Sequence, residues 1–486
     1  MTGRFAWLYG RLPTLGQHLA VTAYGLHWHS VRFGRGYQSA LDGYLGRERL
    51  TPEAMDEAVE TRKKRILSVA ASDVPFYRTQ WTDSQKRHAL AGILDELPLL
   101  DKEPVRTDPR RFLGASQRPR RDLVFATSGS TGTPIKTYWT PGEVRESMAV
   151  REARSLKWAG VSFRLPRATF SGRIVEPNPA SRGPFYRYNA LERQVYFSAF
   201  HLKPDTARFY VQALLRHHVQ WLTGYAVSFY LLGQMILDQD LSTPPLKAVV
   251  ATSERLTREM RETMEKAYKC RVYEEYSTVE NSMFASECEF GSLHVSPDAG
   301  VVEILRNDGT PCVPGEVGEV VATCLYRTYQ PLIRFRIGDL ASWDSRACPC
   351  SRPMPVLKEV VGRLEDVVVG PDGRRMVRFH GVFVDLPHIR QGQVVQEALD
   401  RIRVRVVPAP GYGDDDAQEL ERRVRQRLGH EVRVEVETVP SIPCDKSGKF
   451  REVVNNMGGP RSSSSGQAPS AGDDRLGARG VPRDAV

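Results

Sequence analysis

Long apolar runs are missing from this chain of 486 residues. No stretch of about 18 uncharged apolar residues occurs, so the sequence predicts no membrane-spanning helix. Near the N-terminus the apolar residues Phe5, Trp7 and Leu8 are followed by Arg11 and Pro13, which interrupt any continuous core of a secretory signal. The simplest interpretation is a cytoplasmic protein.

Signatures of nucleic-acid-binding modules are missing as well. The chain has no paired zinc-finger spacing, no basic helix followed by heptads and no aromatic ribonucleoprotein motif. Its formal net charge of +10 attracts polyanions in general, but nucleotides and coenzyme A are anions too. We therefore expect no nucleic-acid partner, and we find no internal repeat.

Cysteine is scarce, with seven residues in the chain. An odd number at wide spacing argues against a disulfide scaffold and favours reduced thiols or metal ligands. Two pairs stand out, Cys288 with His294 and Cys348 with Cys350. Three thiolates and an imidazole suit a closed tetrahedral Zn²⁺ site. The alternative is four reduced residues in or near the core.

What the chain does contain is an alternation of apolar strand segments and helical segments. The apolar segments "LVFA", "LKAVVATS" and "CRVYEEYS" predict strands, and helical patterns lie between and around them. This alternation favours an α/β fold whose sheet has parallel character. The predicted strands are 123–126, 246–253 and 270–277, and the predicted helices are 141–158, 205–217, 228–239 and a segment that ends near 268.

A second, smaller unit is predicted towards the C-terminus. A hairpin with a Pro-Asp-Gly tip is followed by a predicted strand at 402–407, a helix at 416–428 and a strand at 431–437. We expect a large domain over 1–363, helical to about residue 120, and a small α+β domain over 364–457. Residues 458–486 are rich in Gly, Ser, Pro, Asp and Arg, which predicts a disordered tail.

A loop rich in glycine and hydroxyl groups, "TSGSTGTP" at 127–134, is expected between a strand and a helix. Its glycines let the backbone approach a phosphate, and its hydroxyls and amides can donate to the phosphate oxygens. It is not a Walker loop, because no Gly-Lys-Ser/Thr follows. The alternative is a flexible polar linker.

Two further segments carry groups suited to a nucleotide. In "EEYSTVE" (274–280) a tyrosine could stack on a purine and a carboxylate could hold Mg²⁺. In "PLIRFRIGDL" (331–340) an aspartate after a glycine could accept both ribose hydroxyls. The alternatives are an ordinary strand end and a surface strand with ion pairs.

Two more segments lie at or beyond the proposed domain boundary. "GRLED" (362–366) could be a hinge, or simply a charged turn. In "IPCDKSGKFR" (442–451) a lysine on a glycine-containing loop could reach negative charge that develops on a phosphate and a carboxylate. The alternative is a solvated lysine.

Taken in order, these five motifs resemble those of the adenylate-forming superfamily and, within it, the phenylacetate–coenzyme A ligase-like branch. The closest resemblance is to divergent members found in capsular polysaccharide gene clusters, and the motifs span about residues 123–452. The resemblance implies an AMP-forming acid–thiol ligase, in which ATP activates a carboxylic acid and the acyl group passes to coenzyme A. The alternatives are transfer to an amine or a carrier protein, or a catalytically silent scaffold of envelope polysaccharide synthesis. The resemblance leaves a homodimer open.

The resemblance also implies a role for each motif. Tyr276 would stack on the adenine, Asp339 would bind the ribose, and Glu280 would bind Mg²⁺. Lys449 would bridge the carboxylate and the α-phosphate during adenylation only, because members of the family rotate the small domain between half-reactions. The residues assigned to ATP are Ser128, Gly129, Ser130, Thr131, Gly132, Thr133, Ser253, Glu254, Tyr276, Ser277, Thr278, Asp339 and Arg363.

The chain departs from the family pattern at two places. The usual Tyr-Gly-x-Thr-Glu reads Tyr-Ser-Thr-Val-Glu here, with Ser277 and Val279 in place of Gly and Thr. The hinge carboxylate, usually Asp, is Glu365, and no obvious lysine follows it. These departures bear more on thioester formation than on adenylation. Phenylacetate-ligase-like proteins can also carry a Cys/His cluster comparable to Cys288, His294, Cys348 and Cys350.

The acid-binding pocket is expected in "WLTGYAVSFYLL" (221–232) and "FSGRIV" (170–175). Aromatic residues in these segments could equally belong to the core.

Overall fold

The structure is a computed structural model. It describes the residues 9–117, 123–126, 135–171, 173, 175–178, 180–253, 256, 258–306, 308–361, 368–376, 382–383, 386–440, 442 and 453–457.

Helices of 6 to 22 residues form the described N-terminal part. Thr51 accepts a hydrogen bond from the Ala54 amide and caps one of them, and Thr82 and Gln85 form a reciprocal capping box on another. Gly92, with φ of 87°, ends that second helix in the left-handed conformation. The helices are α1 (Thr14–Phe33), α2 (Tyr37–Arg47), α3 (Pro52–Asp73), α4 (Pro75–Gln80), α5 (Asp83–Ala91) and α6 (Lys102–Thr107).

A two-stranded antiparallel hairpin follows, made of β1 (Leu123–Ala126) and β2 (Lys136–Trp139). Residues 127–134, between these strands, lie outside the described residues, and strand β2, which comes between them and the predicted helix 141–158, was not predicted. The helix α7 (Pro141–Val150) begins only after β2, with a capping box between Thr140 and Glu143, and continues as a π-helical turn at Arg151–Leu156.

One large mixed sheet organises the centre of the molecule. In the described residues it has 12 strands, in the order β11-β12-β13-β14-β10-β9-β8-β7-β6-β3-β5-β4. The strands are β3 (Arg167–Ser171), β4 (Tyr186–Asn189), β5 (Gln194–Ser198), β6 (Trp221–Tyr225), β7 (Ala248–Thr252), β8 (Arg271–Ser277), β9 (Phe284–Glu287), β10 (Leu293–Val295), β11 (Gly300–Leu305), β12 (Gly318–Cys324), β13 (Phe335–Trp343) and β14 (Val356–Val361).

Five adjacent strands of this sheet run parallel, in the order β8-β7-β6-β3-β5. The crossover helices between them are α8 (Ala207–Arg216), α9 (Ala226–Asp238) and α10 (Arg258–Tyr268). Near-continuous apolar strands such as "AVVAT" of β7 are expected where a sheet is covered on its faces. The remaining neighbouring strands of the sheet pair antiparallel. The five parallel strands with their crossover helices confirm the prediction of an α/β fold whose sheet has parallel character.

A separate four-stranded sheet, in the order β19-β18-β17-β20, lies near the C-terminus. Helix α11 (Asp414–Leu428) packs on it with Leu420, Val424 and Leu428 fully buried. Its strands are β17 (Ile389–Ala398), β18 (Arg401–Pro408), β19 (Arg433–Thr438) and β20 (Val453–Asn455), and the short hairpin β15 (Val368–Val369) and β16 (Arg375–Met376) precedes it. The predicted tail 458–486 lies outside the described residues. No described helix is both long enough and apolar enough to cross a membrane.

Candidate adenylation site and candidate metal centre

Four of the predicted nucleotide residues, Ser253, Tyr276, Ser277 and Thr278, lie at the carboxyl ends of the parallel strands β7 and β8. Ser253 directly follows β7, and Tyr276 and Ser277 end β8. Thr252 pairs with Glu275, so Ser253 comes opposite Tyr276 at this edge. In open α/β sheets, ligands bind at this edge. Ser253 has φ of 73°, a left-handed conformation that is uncommon outside glycine and clusters at binding sites.

Tyr276 and Asp339 are 63 positions apart in the chain but meet in the fold. The Tyr276 hydroxyl donates a hydrogen bond to Oδ2 of Asp339 over 3.0 Å. Asp339 lies on β13 after Gly338, which has φ of 80° and comes close to Lys102. Burial, with the nearby charge of Asp339, raises the pKa of Tyr276 well above its usual range. The phenol therefore stays protonated and remains a donor.

Glu280 lies in the turn that follows β8. It is 6% exposed, and its negative charge also contributes to the raised pKa of Tyr276. Among the described residues, none makes a hydrogen bond with the Glu280 carboxylate. Thr278 organises the turn, because its carbonyl accepts from the Asn281 amide over 3.0 Å. Tyr276, Glu280 and Asp339 thus form one cluster of polar groups.

Arg327 supports this cluster and was not predicted from the sequence. It is 1% exposed, and its guanidinium donates to the carbonyl oxygens of Glu280 and Tyr138, each over 2.6 Å. It also stacks on Trp139, with 4.0 Å to the ring centroid. Arg327 therefore joins the Glu280 turn to β2, the strand that follows the predicted phosphate loop. The only sequence signal is one charge among buried aromatic residues, which is too weak to assign a role.

Several predicted site residues lie outside the described residues, so their placement stays a prediction. They are Ser128, Gly129, Ser130, Thr131, Gly132, Thr133, Glu254, Arg363, Glu365 and Lys449.

The segment 221–232, predicted to shape the acid pocket, is mostly core. It forms β6 and the first turns of α9, and Trp221, Leu222 and Phe229 are fully buried. A Cβ at Gly224 would lie 1.9 Å from the Phe170 carbonyl oxygen, so this close strand contact requires glycine. Tyr225 and Tyr230 are the aromatic residues of this segment that are only partly buried. Of the second segment, positions 172 and 174 lie outside the described residues.

The four predicted zinc ligands do come together. One ligand atom from each of Cys288, His294, Cys348 and Cys350 lies within 4.8 Å of the others. The Sγ atoms of Cys288 and Cys348 are 3.6 Å apart, and Sγ of Cys350 is 3.2 Å from Nε2 of His294. Two sulfurs on a tetrahedral Zn²⁺, each about 2.3 Å from the ion, would be separated by about 3.8 Å.

Local structure explains this convergence. The β9–β10 hairpin carries Cys288 and His294, and the loop between β13 and β14 carries Cys348 and Cys350. The His294 Nδ1–H donates to the Met354 carbonyl over 3.0 Å, which turns Nε2 towards the thiols. Burial opposes ionisation of Cys348, but hydrogen bonds from Ser292, the Cys350 amide and His294 prevail and lower the pKa of its thiol to about 6. Burial raises the pKa of the neighbouring Cys288 thiol to about 11, so without a metal Cys348 is the thiol that ionises first.

Arg352 connects this cluster to the N-terminal helices. Its guanidinium pairs with Glu48 over 2.8 Å and with Glu289 over 2.7 Å. It also stacks on Trp158, with 4.4 Å to the ring centroid, and Trp158 packs edge-on against His294. Because Glu48 directly follows α2, the cluster and the helical part are joined by partly buried charges.

Comparison with known proteins agrees with this architecture. The family model "CapK C-terminal domain" matches residues 369–456. Protein CapK of Staphylococcus aureus is 24% identical over 93% of this chain and 99% of the relative. The phenylacetate–coenzyme A ligase of Thermus thermophilus is 24% identical over 84% of this chain and 98% of the relative.

Solved structures show the same fold. A structure of 2-hydroxyisobutyryl-CoA ligase with 2-HIB-AMP and CoA, in the thioesterification state, matches with a TM-score of 0.56 at 21% identity, over 84% of this chain and 91% of that one. The same enzyme in the postadenylation state, in complex with R3-HIB-AMP, gives a TM-score of 0.54 at 21% identity, over 85% and 91%. The chain is thus similar over most of its length to CapK and to a phenylacetate–coenzyme A ligase, which supports the predicted resemblance to the adenylate-forming superfamily and its phenylacetate–coenzyme A ligase-like branch.

Proposed function

We propose that the protein activates a carboxylic acid with ATP and then transfers the acyl group to coenzyme A. The observation that carries this proposal is the convergence of Tyr276, Glu280 and Asp339 at the carboxyl edge of the parallel strands. The relatives named above include two coenzyme A ligases, which supports the same reaction class. In the first half-reaction a carboxylate oxygen attacks the α-phosphorus and pyrophosphate leaves. In the second, the thiol sulfur attacks the acyl carbon and AMP leaves.

The tyrosine–aspartate pair is suited to hold the nucleoside. The Tyr276 ring offers a face for the adenine, and its hydroxyl fixes one oxygen of the Asp339 carboxylate. No other hydrogen bond to this carboxylate occurs within the described part of the chain, so its second oxygen is available to accept from a ribose hydroxyl. Ser253, Ser277 and Thr278 would line the nucleotide at the same edge, with Glu254 and Arg363 beside it.

Glu280 is the residue that would hold Mg²⁺. The Glu280 carboxylate makes no hydrogen bond with a described residue, and Arg327 holds the Glu280 backbone in place. The carboxylate oxygens are therefore suited to bind a hard cation such as Mg²⁺. Bound Mg²⁺ would neutralise charge on the phosphates. Loop residues Ser128 to Thr133 would bind the β- and γ-phosphates through hydroxyl and amide donors. Lys449 would stabilise the negative charge that develops between carboxylate and α-phosphate.

We also propose a structural Zn²⁺ at Cys288, His294, Cys348 and Cys350. The donor set, the short distances between ligand atoms and the orienting hydrogen bond on His294 all fit this ion. Because all four coordination positions would come from protein, the ion would stabilise the fold and take no part in the chemistry. We further propose that residues 364–457 form a small domain that rotates between the half-reactions.

Pyrophosphate release measured with a panel of aryl, fatty and sugar-derived acids tests the proposal. We expect release with a subset of these acids, AMP as the other product, and thioester only when coenzyme A is present. Release without any dependence of product on coenzyme A would point to an amine or a carrier protein as acceptor. No release with any acid would overturn the enzymatic proposal and favour the scaffold.

A further inference from the structure

Helix α1 carries its leucines on the side that faces solvent. Leu15, Leu19 and Leu26 are 71%, 64% and 62% exposed, and Ala23 between them is exposed too. These positions are separated by four, four and three residues, so they form one stripe along the helix. The helix has 20 residues and is therefore about 30 Å long.

Over the first three turns of α1 the inward side is polar or small, whereas Trp28, Val31 and Phe33 pack into the core at its C-terminal end. Gln17 is 4% exposed and donates to the Tyr9 carbonyl over 3.1 Å. Nδ1 of His18 accepts from the Tyr188 amide over 2.9 Å, and Oγ1 of Thr22 accepts from the Ala190 amide over 3.1 Å. A Cβ at Gly25 would lie 2.4 Å from the side chain of Asn189. The contacts of these residues fix the helix on β4, so the exposed leucines are not needed to hold it there.

The surroundings of the stripe are basic. The first acidic residue of the chain is Asp42, and four arginines precede it. Arg35 follows the helix and is exposed, and Arg145 donates to the Ser30 carbonyl at the end of the stripe. Glu192, an acidic residue that contacts the helix, is 6% exposed and already pairs with Arg32 and Arg167. Among the described residues, no carboxylate pairs with Arg35 or Arg145, so the end of the leucine stripe adjoins positive charge.

This charge distinguishes between the partners that could cover the stripe. In a symmetric contact with a second copy, the same patch meets itself and the arginines would face each other. An anionic lipid surface offers both an apolar interior for the leucines and phosphates for the arginines. We propose that α1 is a membrane-surface docking helix, which lies flat on an anionic bilayer with Leu15, Leu19 and Leu26 inserted below the headgroups. This inference does not depend on the proposed ligase chemistry.

Co-sedimentation of the full chain with vesicles tests this proposal. The probes are vesicles of phosphatidylcholine alone and vesicles with phosphatidylglycerol at about seven to three, at low and high salt. We expect binding to the anionic vesicles only, and weaker binding at high salt. The triple variant Leu15→Gln, Leu19→Gln, Leu26→Gln should lower the partition constant about a hundredfold or more, because each leucine loses its apolar burial.

A control uses three other leucines that are about half exposed and lie outside α1. Leu90, Leu215 and Leu399 are 50%, 46% and 50% exposed, and their replacement by glutamine should leave vesicle binding unchanged. Both triple variants should keep the circular dichroism spectrum and the thermal midpoint of the parent. Arg35→Gln should reduce binding to anionic vesicles about fivefold, since one arginine near the surface contributes about 1 kcal/mol.

Two results would overturn the proposal. In the first, the parent does not bind vesicles but forms a dimer in sedimentation equilibrium, and the α1 triple variant is a monomer. This result would assign the leucine stripe to contact with a second copy of the chain. The other is equal vesicle binding by the parent and by the α1 triple variant.

Discussion

At the scale of single residues, the Tyr276–Asp339 pair gives a prediction that separates stacking from ribose binding. Asp339→Asn removes the charge that would accept from the ribose and should weaken ATP binding about tenfold to a hundredfold, the equivalent of about 1.5–3 kcal/mol for a charge-assisted hydrogen bond. Tyr276→Phe keeps the ring and loses only the positioning hydroxyl, so about a fivefold loss is expected. Equilibrium binding of ATP measures both. Unchanged affinity in Asp339→Asn would make this residue structural only.

Lys449 carries the second prediction at this scale. Lys449→Ala should slow adenylation by about two to three powers of ten, because about 3–4 kcal/mol of transition-state stabilisation is lost, as for an oxyanion donor. Thioester formation from synthetic acyl-adenylate should survive. Lys446→Ala, three residues away on the same segment, is the matched control and should adenylate normally. Equal rates for Lys449→Ala and the parent in pyrophosphate release would remove the assigned role.

The sequence predicts the place of some site residues but not of others. Tyr276 and Asp339 were predicted from their motifs, and their side chains meet in the fold. Arg327 was not, because its role depends on two carbonyl oxygens that come from residues 47 and 189 positions away. Contacts of that range are set by the topology of the sheet, which no local pattern contains.

At the scale of elements, the proposed Zn²⁺ would link the β9–β10 hairpin to the loop between β13 and β14. Cys348→Ser should lower the zinc content and the thermal midpoint together, because a structural ion stabilises only the folded state. The loss should extend to α2, since Arg352 joins the cluster to Glu48. Metal analysis and thermal unfolding of the same sample measure the two effects.

Cys270→Ser is the control for this experiment. Cys270 is a partly buried thiol outside the cluster, so its replacement should leave the zinc content unchanged. Folded parent protein that contains no zinc, or a Cys348→Ser variant that retains about one ion per chain, would contradict the structural site.

Elements with strong periodicity were predicted within a few residues, and weak ones were not. The strand predicted at 246–253 is Ala248–Thr252, and the helix predicted at 416–428 is Asp414–Leu428. Strand β2 was missed, because "KTYW" is short and its pairing with β1 across the loop decides its conformation. The outward orientation of the leucines of α1 could not be predicted from the sequence. The spacing of a hydrophobic stripe is the same whether the stripe faces the core or a partner.

At the scale of the whole molecule, α1 and α8 meet at the edge strand β4 through two partly buried histidines, His18 and His217. His217 stacks on Tyr188 with 4.0 Å between ring centroids, and its Nε2 is 3.2 Å from the Tyr186 hydroxyl. Burial, with positive charge from His18 and Arg216, lowers the pKa of His217 to about 4. Burial also lowers the pKa of His18. The neutral imidazoles are therefore part of the packed edge of the sheet.

These two histidines predict a loss of stability in mild acid. Between pH 6.5 and about 4 the unfolded chain takes up a proton on His217 that the folded chain does not. The contribution of His217 to the free energy of unfolding is therefore fully present above pH 6.5 and is lost as the pH falls towards 4. Allowing for solvent screening, the free energy of unfolding should drop by about 1–2 kcal/mol over this window on account of His217. Urea unfolding at several pH values measures the drop. His217→Gln should flatten the dependence, whereas His430→Gln, at an exposed histidine, should leave it unchanged. Parallel pH profiles for His217→Gln and the parent would show that this edge of the sheet does not carry the acid sensitivity.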